Sequence, residues 1–334
     1  MSAPLVEAVG LTRHYQLGKR VLRALDGVDI TIARGETLGL VGESGSGKST
    51  LGRTLVGLQS PTQGSVRFDG VDTAGITGAA LRQLHRRRQL VFQDPSGALN
   101  PRMTIGATLT EHLRVQGWTR AAARVRVPEV LTQAGLSPAH AARYPHEISG
   151  GQRQRAVIAR AISTDPDFLV ADEPVSALDV STRAQIINLL RSLQRARGLG
   201  MLFISHDLSV VAHTCRRVAV MYLGRVVELA PREALFANPL HPYTKALLSA
   251  VPLPDPLRER ARSRIILRGE TPDPSAPPSG CRFHPRCPLA TEICVRVDPP
   301  MRPLGPDQTA ACHHAGERVT SSAADMLPGG VQIA

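Results

Sequence analysis

The run Gly42-Glu-Ser-Gly-Ser-Gly-Lys48-Ser49-Thr50 follows directly on the apolar stretch Glu36-Thr-Leu-Gly-Leu-Val41 and fills every fixed position of the pattern Gly-x-x-x-x-Gly-Lys-Ser/Thr. A glycine-rich turn between a strand and a helix is a phosphate cradle. The glycines let backbone N–H groups turn inward, and the helix presents its partly positive N-terminus to the anion. Strand, loop, Lys-Ser and the helix starter Thr50-Leu-Gly-Arg-Thr-Leu-Val56 occur together here, so an α/β fold that binds a nucleoside triphosphate is expected. Gly42, Ser44, Gly45, Gly47 and Thr50 would surround the phosphates. Lys48 would hold the outer ones, and Ser49 would ligate Mg2+.

A second, rarer run is Ile148-Ser149-Gly150-Gly151-Gln152-Arg-Gln-Arg155, which opens the helix-like segment Ala156-Val-Ile-Ala-Arg-Ala161. About a dozen residues on, Phe168-Leu-Val-Ala-Asp172-Glu173 reads as a buried strand with carboxylates at its C-terminal end, the usual place for ligands in an open α/β sheet. Gln93 follows the strand-like Gln89-Leu-Val-Phe92, Ser176-Ala-Leu-Asp179 follows the acidic pair, and His206 follows Gly200-Met-Leu-Phe-Ile-Ser205.

In this order the six runs resemble the ABC-type ATPases, and three further stretches narrow the resemblance. They are Ser96-Gly-Ala-Leu-Asn-Pro-Arg102, Arg143-Tyr-Pro-His-Glu147 and His241-Pro-Tyr-Thr-Lys-Ala-Leu-Leu-Ser249. With these the chain is similar over nearly its whole length to the ATP-binding subunits of bacterial oligopeptide and dipeptide importers, and looks more like the second, F-type, of the two ATPases such importers use.

The resemblance implies an ABC-type P-loop nucleotide-binding domain with an inserted helical subdomain and a small Cys-rich C-terminal module. It also implies ATP as substrate, with Mg2+ held by Ser49, Gln93 and Asp172, Glu173 as general base, and His206 at the γ-phosphate. Gln93 would link the magnesium to the helical subdomain, and Tyr15 would stack on adenine. Two cassettes would pack head to tail, so that Ser149, Gly150, Gly151, Gln152 and Asp179 serve the partner's nucleotide. The implied partners are a second ABC ATPase subunit, with a heterodimer favoured, two transmembrane permease subunits and an extracytoplasmic peptide-binding protein. The implied location is peripheral, on the cytoplasmic face of the membrane. An importer of nickel or another small solute is the nearest alternative. A soluble ABC ATPase of translation or DNA repair is disfavoured, because there is one phosphate loop and no long coiled-coil insertion.

Charge adds a constraint of its own. The formal net charge is +12, and only three of the 40 basic residues are lysines: Lys19, Lys48 and Lys245. Nucleic acid or an anionic bilayer surface would suit such a chain. The basic run His85-Arg86-Arg87-Arg88 has no interleaved aromatic to stack bases, so it reads as a solvated face and no direct nucleic-acid partner is expected. No stretch approaches the ~18 consecutive apolar residues of a membrane span, and Met1 to Val9 lacks the features of a signal peptide.

Along the chain, Val21-Leu22, Val28-Asp-Ile-Thr-Ile32, Leu38-Gly-Leu-Val41 and Ser65-Val-Arg-Phe68 read as strands. Residues 95–163 turn to Ala, Arg, Leu and Gln and read as the helical insertion within a cassette spanning 1–250. Ile186, Leu189, Leu190 and Leu193 recur at helical spacing and read as core. A Pro-rich linker is expected over 251–280, the Cys-rich module over 281–317, and a disordered Ser/Ala/Gly-rich tail over 318–334.

Four of the five cysteines, Cys281, Cys287, Cys294 and Cys312, fall near the C-terminus, while Cys215 stands alone and reads as a small buried residue. In a cytoplasmic chain, clustered thiols point to metal rather than disulfides. Gaps of five, six and seventeen residues match neither zinc ribbons nor bacterial ferredoxins, so spacing leaves iron–sulfur, zinc and free thiols open. The resemblance implies a 4Fe-4S cluster with a structural role, with zinc as the alternative and His284, His313 or His314 as reserve ligands.

Overall fold

The computed structural model describes residues 3–251, 264–317 and 319. The first Pro-rich stretch of the expected linker and the expected disordered tail, apart from residue 319, lie outside the described residues. Strands β1 (Val6–Leu17), β2 (Arg20–Ile32) and β3 (Thr37–Val41) lead into helix α1 (Lys48–Leu55), then β4 (Gln63–Phe68), β5 (Val71–Asp72), α2 (Gly78–Arg87) and β6 (Arg88–Val91). The helical stretch follows as α3 (Pro95–Ala98), α4 (Ile105–Val115), α5 (Arg120–Gln133) and α6 (Gly150–Ile162). The chain continues through β7 (Phe168–Asp172), α7 (Val180–Arg197), β8 (Gly200–Ile204), α8 (Leu208–Thr214), β9 (Arg217–Tyr222) and β10 (Arg225–Pro231). It closes with α9 (Arg232–Ala237), α10 (Pro242–Ala250), α11 (Glu292–Arg296), β11 (Arg302–Gly305) and β12 (Gln308–Ala310). These elements form two compact units, one of Met1–Val9, Asp29–Leu38 and Ser49–Ser205, the other of Gly10–Val28, Gly39–Lys48 and His206–Ala334.

In the first unit β6, β7 and β8 run parallel, with Leu90 opposite Val170 and Ala171 opposite Phe203. Every residue of these three strands is buried, as parallel strands covered on both faces require. The helical stretch is built by its caps. Thr104, Thr119, Ser149 and Asp179 each accept a hydrogen bond from the backbone N–H three residues on, starting α4, α5, α6 and α7. Each such cap stabilises its helix by about 1 kcal/mol. Along α7, Ile186, Leu190 and Leu193 are buried, but Leu189 is only half-buried, one step round the helix from the core face.

The basic run at 85–88 is a solvated face only in part, with His85, Arg86 and Arg87 half-buried. Arg88 is buried and donates to the carbonyl of Leu55, while Arg87 pairs with Asp69 and Asp167. Burial lowers the Arg88 guanidinium to about 10.

In the second unit β9, β10, β12 and β11 form an antiparallel array in that order. Glu228 of β10 lies opposite Ala310 of β12, so residues expected in a separate module share a sheet with β9 and β10. Glu228 is fully buried and satisfied by the backbone N–H groups of Leu240 and His241 and by Gln308. Beside this sheet Tyr222, Tyr243 and Phe283 pack ring against ring, with centroids 4.7 to 5.4 Å apart. Cys215 is buried, as expected of a small core residue.

Candidate nucleotide site

The phosphate loop departs from β3 with glycines where nothing else fits. A Cβ at Gly42 would lie 2.1 Å from the Met221 carbonyl oxygen, and one at Gly47, whose φ is 103°, would lie 2.3 Å from that of Ala24. Ser44 and Gly45 are exposed at the crest of the turn. Lys48 is buried and donates from Nζ to the carbonyls of Gly42 at 2.8 Å and Glu43 at 2.7 Å, and to the Ser46 hydroxyl at 3.3 Å. A lysine folded back onto its own loop carries a positive charge beside inward-turned backbone, the arrangement that receives phosphate. Thr50 sits in the first turn of α1.

In the first unit the Ser49 hydroxyl donates to Asp172 Oδ1 at 3.0 Å, across 123 residues of sequence. Asp172, at the end of β7, is 2% exposed. An alcohol oxygen touching a buried carboxylate is a hard-oxygen pair of the kind Mg2+ takes, so the donor set fits that ion. Glu173 follows at φ 44°, the left-handed region that non-glycine residues occupy at a cost. Its N–H is held by the Ile204 carbonyl, and Gln93 donates from Nε2 to its Oε2 at 3.1 Å. The structure thus brings Gln93 to Glu173 and Ser49 to Asp172, on neighbouring residues of one strand end. Behind Gln93, Arg160 of α6 stacks over the Phe92 ring and donates to the Ala98 carbonyl. Nothing in the sequence pattern marked this tether.

The Ser149 run forms a reciprocal capping box. Ser149 Oγ accepts from Gln152 N–H at 3.2 Å, and Gln152 Oε1 accepts from Ser149 N–H at 2.9 Å. Two of the five expected nucleotide ligands thus bond to each other through acceptor oxygens, and the Ser149 O–H is not used in the box. Gly150 has space around it, whereas a Cβ on Gly151 would meet Thr182 Cγ2 at 2.5 Å. Asp179 caps α7, and the Thr182 N–H and Ser181 hydroxyl it accepts from hold its carboxyl below the usual range. In the second unit His206 is exposed just before α8, and half-buried Tyr15 carries the Arg13 guanidinium over its ring at 4.7 Å.

Cys281, Cys287, Cys294 and Cys312 are all buried thiols. Burial, reinforced by the neighbouring cysteines, pushes Cys287 up to about 12 and Cys312 to about 11. Among the described residues, however, no three His, Cys, Asp or Glu side chains converge as a metal-binding group. The expected reserve ligands are turned elsewhere: His284 to the Cys281 carbonyl, His313 to that of Val297, and His314 to Thr291 and Glu317.

Residues 25–176 match the family described as ABC transporter, and residues 227–294 match the oligopeptide/dipeptide transporter C-terminal region. A Brucella ovis protein named for peptide import and ATP binding is 53% identical over 92% of this chain and 97% of its own length. The oligopeptide transport ATP-binding protein AppF of Bacillus subtilis is 50% identical over 87% of this chain and 89% of its own length. Among solved structures, an ATP-binding cassette captured as a dimer in a post-hydrolysis state with ADP and Pi is 31% identical. It covers 68% of this chain and 98% of its own length, with a TM-score of 0.62.

Proposed function

The chain belongs to the ATP-binding subunits of peptide-importing ABC transporters, and from that membership we propose that it hydrolyses ATP to drive peptides through a membrane channel formed by partner subunits. The observation that carries the chemistry is the Ser49 hydroxyl on Asp172, with Glu173 held immediately beside it by Ile204 and Gln93.

In this reading Lys48 exchanges its loop carbonyls for the outer phosphates of ATP, while the backbone from Gly42 to Thr50 wraps them. Ser49, Asp172 and Gln93 would hold Mg2+, which would neutralise phosphate charge. Glu173 accepts a proton from the attacking water, and Gln93, already within hydrogen-bonding distance of Glu173, orients that group. His206 reaches the γ-phosphate, and Tyr15 lies under the adenine. Ser149 to Gln152 and Asp179 act on the nucleotide of a second cassette, for which the Ser149 hydroxyl, an acceptor in its capping box, still has its proton to donate. A cassette related to this chain has been solved as a dimer, which supports pairing of this kind.

The partner ATPase is proposed to be a sister subunit, with this chain the second, F-type, of the pair. Among the described residues no helix is long and apolar enough to cross a membrane, and peripheral attachment to permease subunits on the cytoplasmic face is proposed from the family alone. Gln93 to Arg102 and the helical stretch behind them are the proposed permease contact. Beside them lies an open groove of about 1030 Å³ lined by Met103, Ala107, Glu111, Arg114, Arg120 and Arg124.

The four C-terminal cysteines are proposed to hold a 4Fe-4S cluster as a structural cross-link. Buried thiols supply the donor type such a cluster takes, and the proposal rests on that type and on the family, since no three of these side chains converge among the described residues. Brown protein on anaerobic purification, with broad absorption near ~400 nm, is expected. Colourless protein holding one zinc would reverse the choice of metal.

The deciding experiment reconstitutes the chain with its membrane partners in vesicles. ATP hydrolysis should rise when a peptide-loaded binding protein is added outside. Stimulation by nickel-loaded but not peptide-loaded binding protein would replace the cargo, and stimulation by ribosomes or DNA alone would replace the function.

A further inference from the structure

Glu43, the second residue of the phosphate loop, is gripped from every side by residues far along the chain. Arg286 donates from Nη1 to Glu43 Oε2 at 2.7 Å and from Nη2 to Oε1 at 3.0 Å, a two-pronged pair spanning 243 residues. The Thr271 hydroxyl donates to the same Oε2 at 2.9 Å. The backbone N–H of Glu43 donates to the Tyr243 hydroxyl at 2.8 Å, and its carbonyl accepts from Lys48. Arg286 ends the 3-10 turn His284–Arg286, between Cys281 and Cys287, and its own side chain is 9% exposed. Behind it the Tyr222, Tyr243 and Phe283 rings fix the turn against β9 and α10.

A carboxylate in a loop that receives a triphosphate is out of place on electrostatic grounds, since like charges repel and the effect grows as water is excluded. Here a guanidinium answers it. Burial would raise the Glu43 carboxyl, but Arg286, Thr271 and Lys48 together hold it below the ordinary range, so it is ionised and matched. The pair therefore does two things at once: it neutralises the charge and it anchors the loop segment whose carbonyls hold Lys48.

We propose that Arg286 is a positioning residue for the phosphate loop, acting through Glu43, so that nucleotide affinity depends on the C-terminal turn between Cys281 and Cys287. This rests on the reading of the loop as an ATP site. A side chain close to the C-terminus thus belongs to the nucleotide machinery, and whatever holds or releases that turn is registered at the phosphates.

The test measures the dissociation constant of a fluorescent ATP analogue, with Mg2+, on the purified full chain, together with its thermal midpoint. Arg286→Ala should weaken binding on the order of tenfold, the scale of coupling between contacting groups. Arg286→Lys, which keeps the charge but loses the fork, should fall between the two. Adding Glu43→Gln to Arg286→Ala should lose no more affinity than Arg286→Ala alone, because both changes break the same pair. Arg302→Ala removes a bond to the Cys312 carbonyl within the same C-terminal segment, away from the loop, and should leave affinity unchanged. The inference is overturned if Arg286→Ala binds within twofold of wild type, if Arg302→Ala loses as much, or if the double variant loses the sum of the two single losses. A wild-type chain that does not bind the analogue would instead refute the ATP-site reading itself.

Discussion

Gln93 donates from its side-chain amide to Glu173 at 3.1 Å, joining the segment that leads into the helical stretch to the carboxylate proposed to activate water. The two residues are 80 positions apart, and Glu173 sits at φ 44°, so its direction is set by the Ile204 carbonyl and by Gln93 rather than by local preference. A shift in residues 93–102 would consequently be felt at the base. That is a physical route by which a membrane partner could gate hydrolysis.

Glu173→Gln keeps the size and the hydrogen-bonding reach toward Gln93 but cannot take a proton. Turnover should fall by ~10²- to 10⁴-fold with ATP affinity retained. Lys48→Ala should instead lose ATP binding. Equal loss of affinity in both variants, read by nucleotide titration, would refute this division of labour.

Gly42 and Gly45 separate steric from conformational demand in the loop. A Cβ at residue 42 collides with the Met221 carbonyl, whereas one at residue 45 meets nothing within 4 Å and bears only the strain of φ 76°. Gly42→Ala should therefore cost about 3 kcal/mol of stability and most ATP binding, against about 1 kcal/mol for Gly45→Ala. Thermal unfolding of the two variants side by side checks the ranking.

The local geometry of the candidate site was legible, because a glycine-rich run with Lys-Ser between a strand and a helix folds as that turn, and the acidic pair closes β7 beside Ser49. What escaped has no local signature. Arg286 reaches Glu43 across 243 residues, and Arg160 reaches Ala98 across 62. The reading of His85–Arg88 as a solvated face missed the buried Arg88 for the same reason. Arg88, Arg126, Arg197 and Arg282 bond to backbone carbonyls, and composition does not reveal which arginines turn inward. The Ser149 run was read for the nucleotide alone, although Ser-x-x-Gln is also a capping box.

Gly151→Asp is expected to block hydrolysis by setting a carboxylate against the partner's γ-phosphate, but the structure adds a complication: the new Cβ meets Thr182 Cγ2 at 2.5 Å. Thr182→Ser removes that methyl and keeps the hydroxyl. Hydrolysis by the assembled transporter should stay blocked in the double variant, with monomer ATP binding intact. Recovery of activity on Thr182→Ser would assign the defect to packing.

The groove beside α4 and α5 carries Arg114, Arg120 and Arg124 against a single acid, Glu111, with Met103 and Ala107 between them. A permease loop with acidic and apolar side chains suits such a lining. Cysteines placed at Ala107 and Arg120 should crosslink to a cytoplasmic loop of the membrane partner. Crosslinks arising only from positions on β11 and β12 would refute docking on the helical stretch.

Acid should destabilise this protein through two histidines, the buried His241 and the half-buried His112. Burial lowers His112 to about 4, with Arg160 adding to it, and lowers His241 to about 3, with Lys245 adding. Both are neutral when folded, and the Tyr243 N–H donates to His241 Nδ1, a bond that only the unprotonated nitrogen accepts. Unfolded histidine titrates near ~6.5, so below that pH the unfolded chain takes up protons that the folded chain refuses. Stability is thus complete above about pH 6.5 and falls as the pH drops toward the folded values. Between pH 6.5 and 5 each histidine should remove roughly 1–2 kcal/mol. The carboxylate of Glu43, held low by Arg286, adds its loss only further down, below the ordinary carboxylate range near ~4.3. His112→Gln removes one titration and should flatten the slope of the thermal midpoint between pH 6.5 and 5 by about half. A variant whose slope matches wild type would show that His112 does not carry the acid sensitivity.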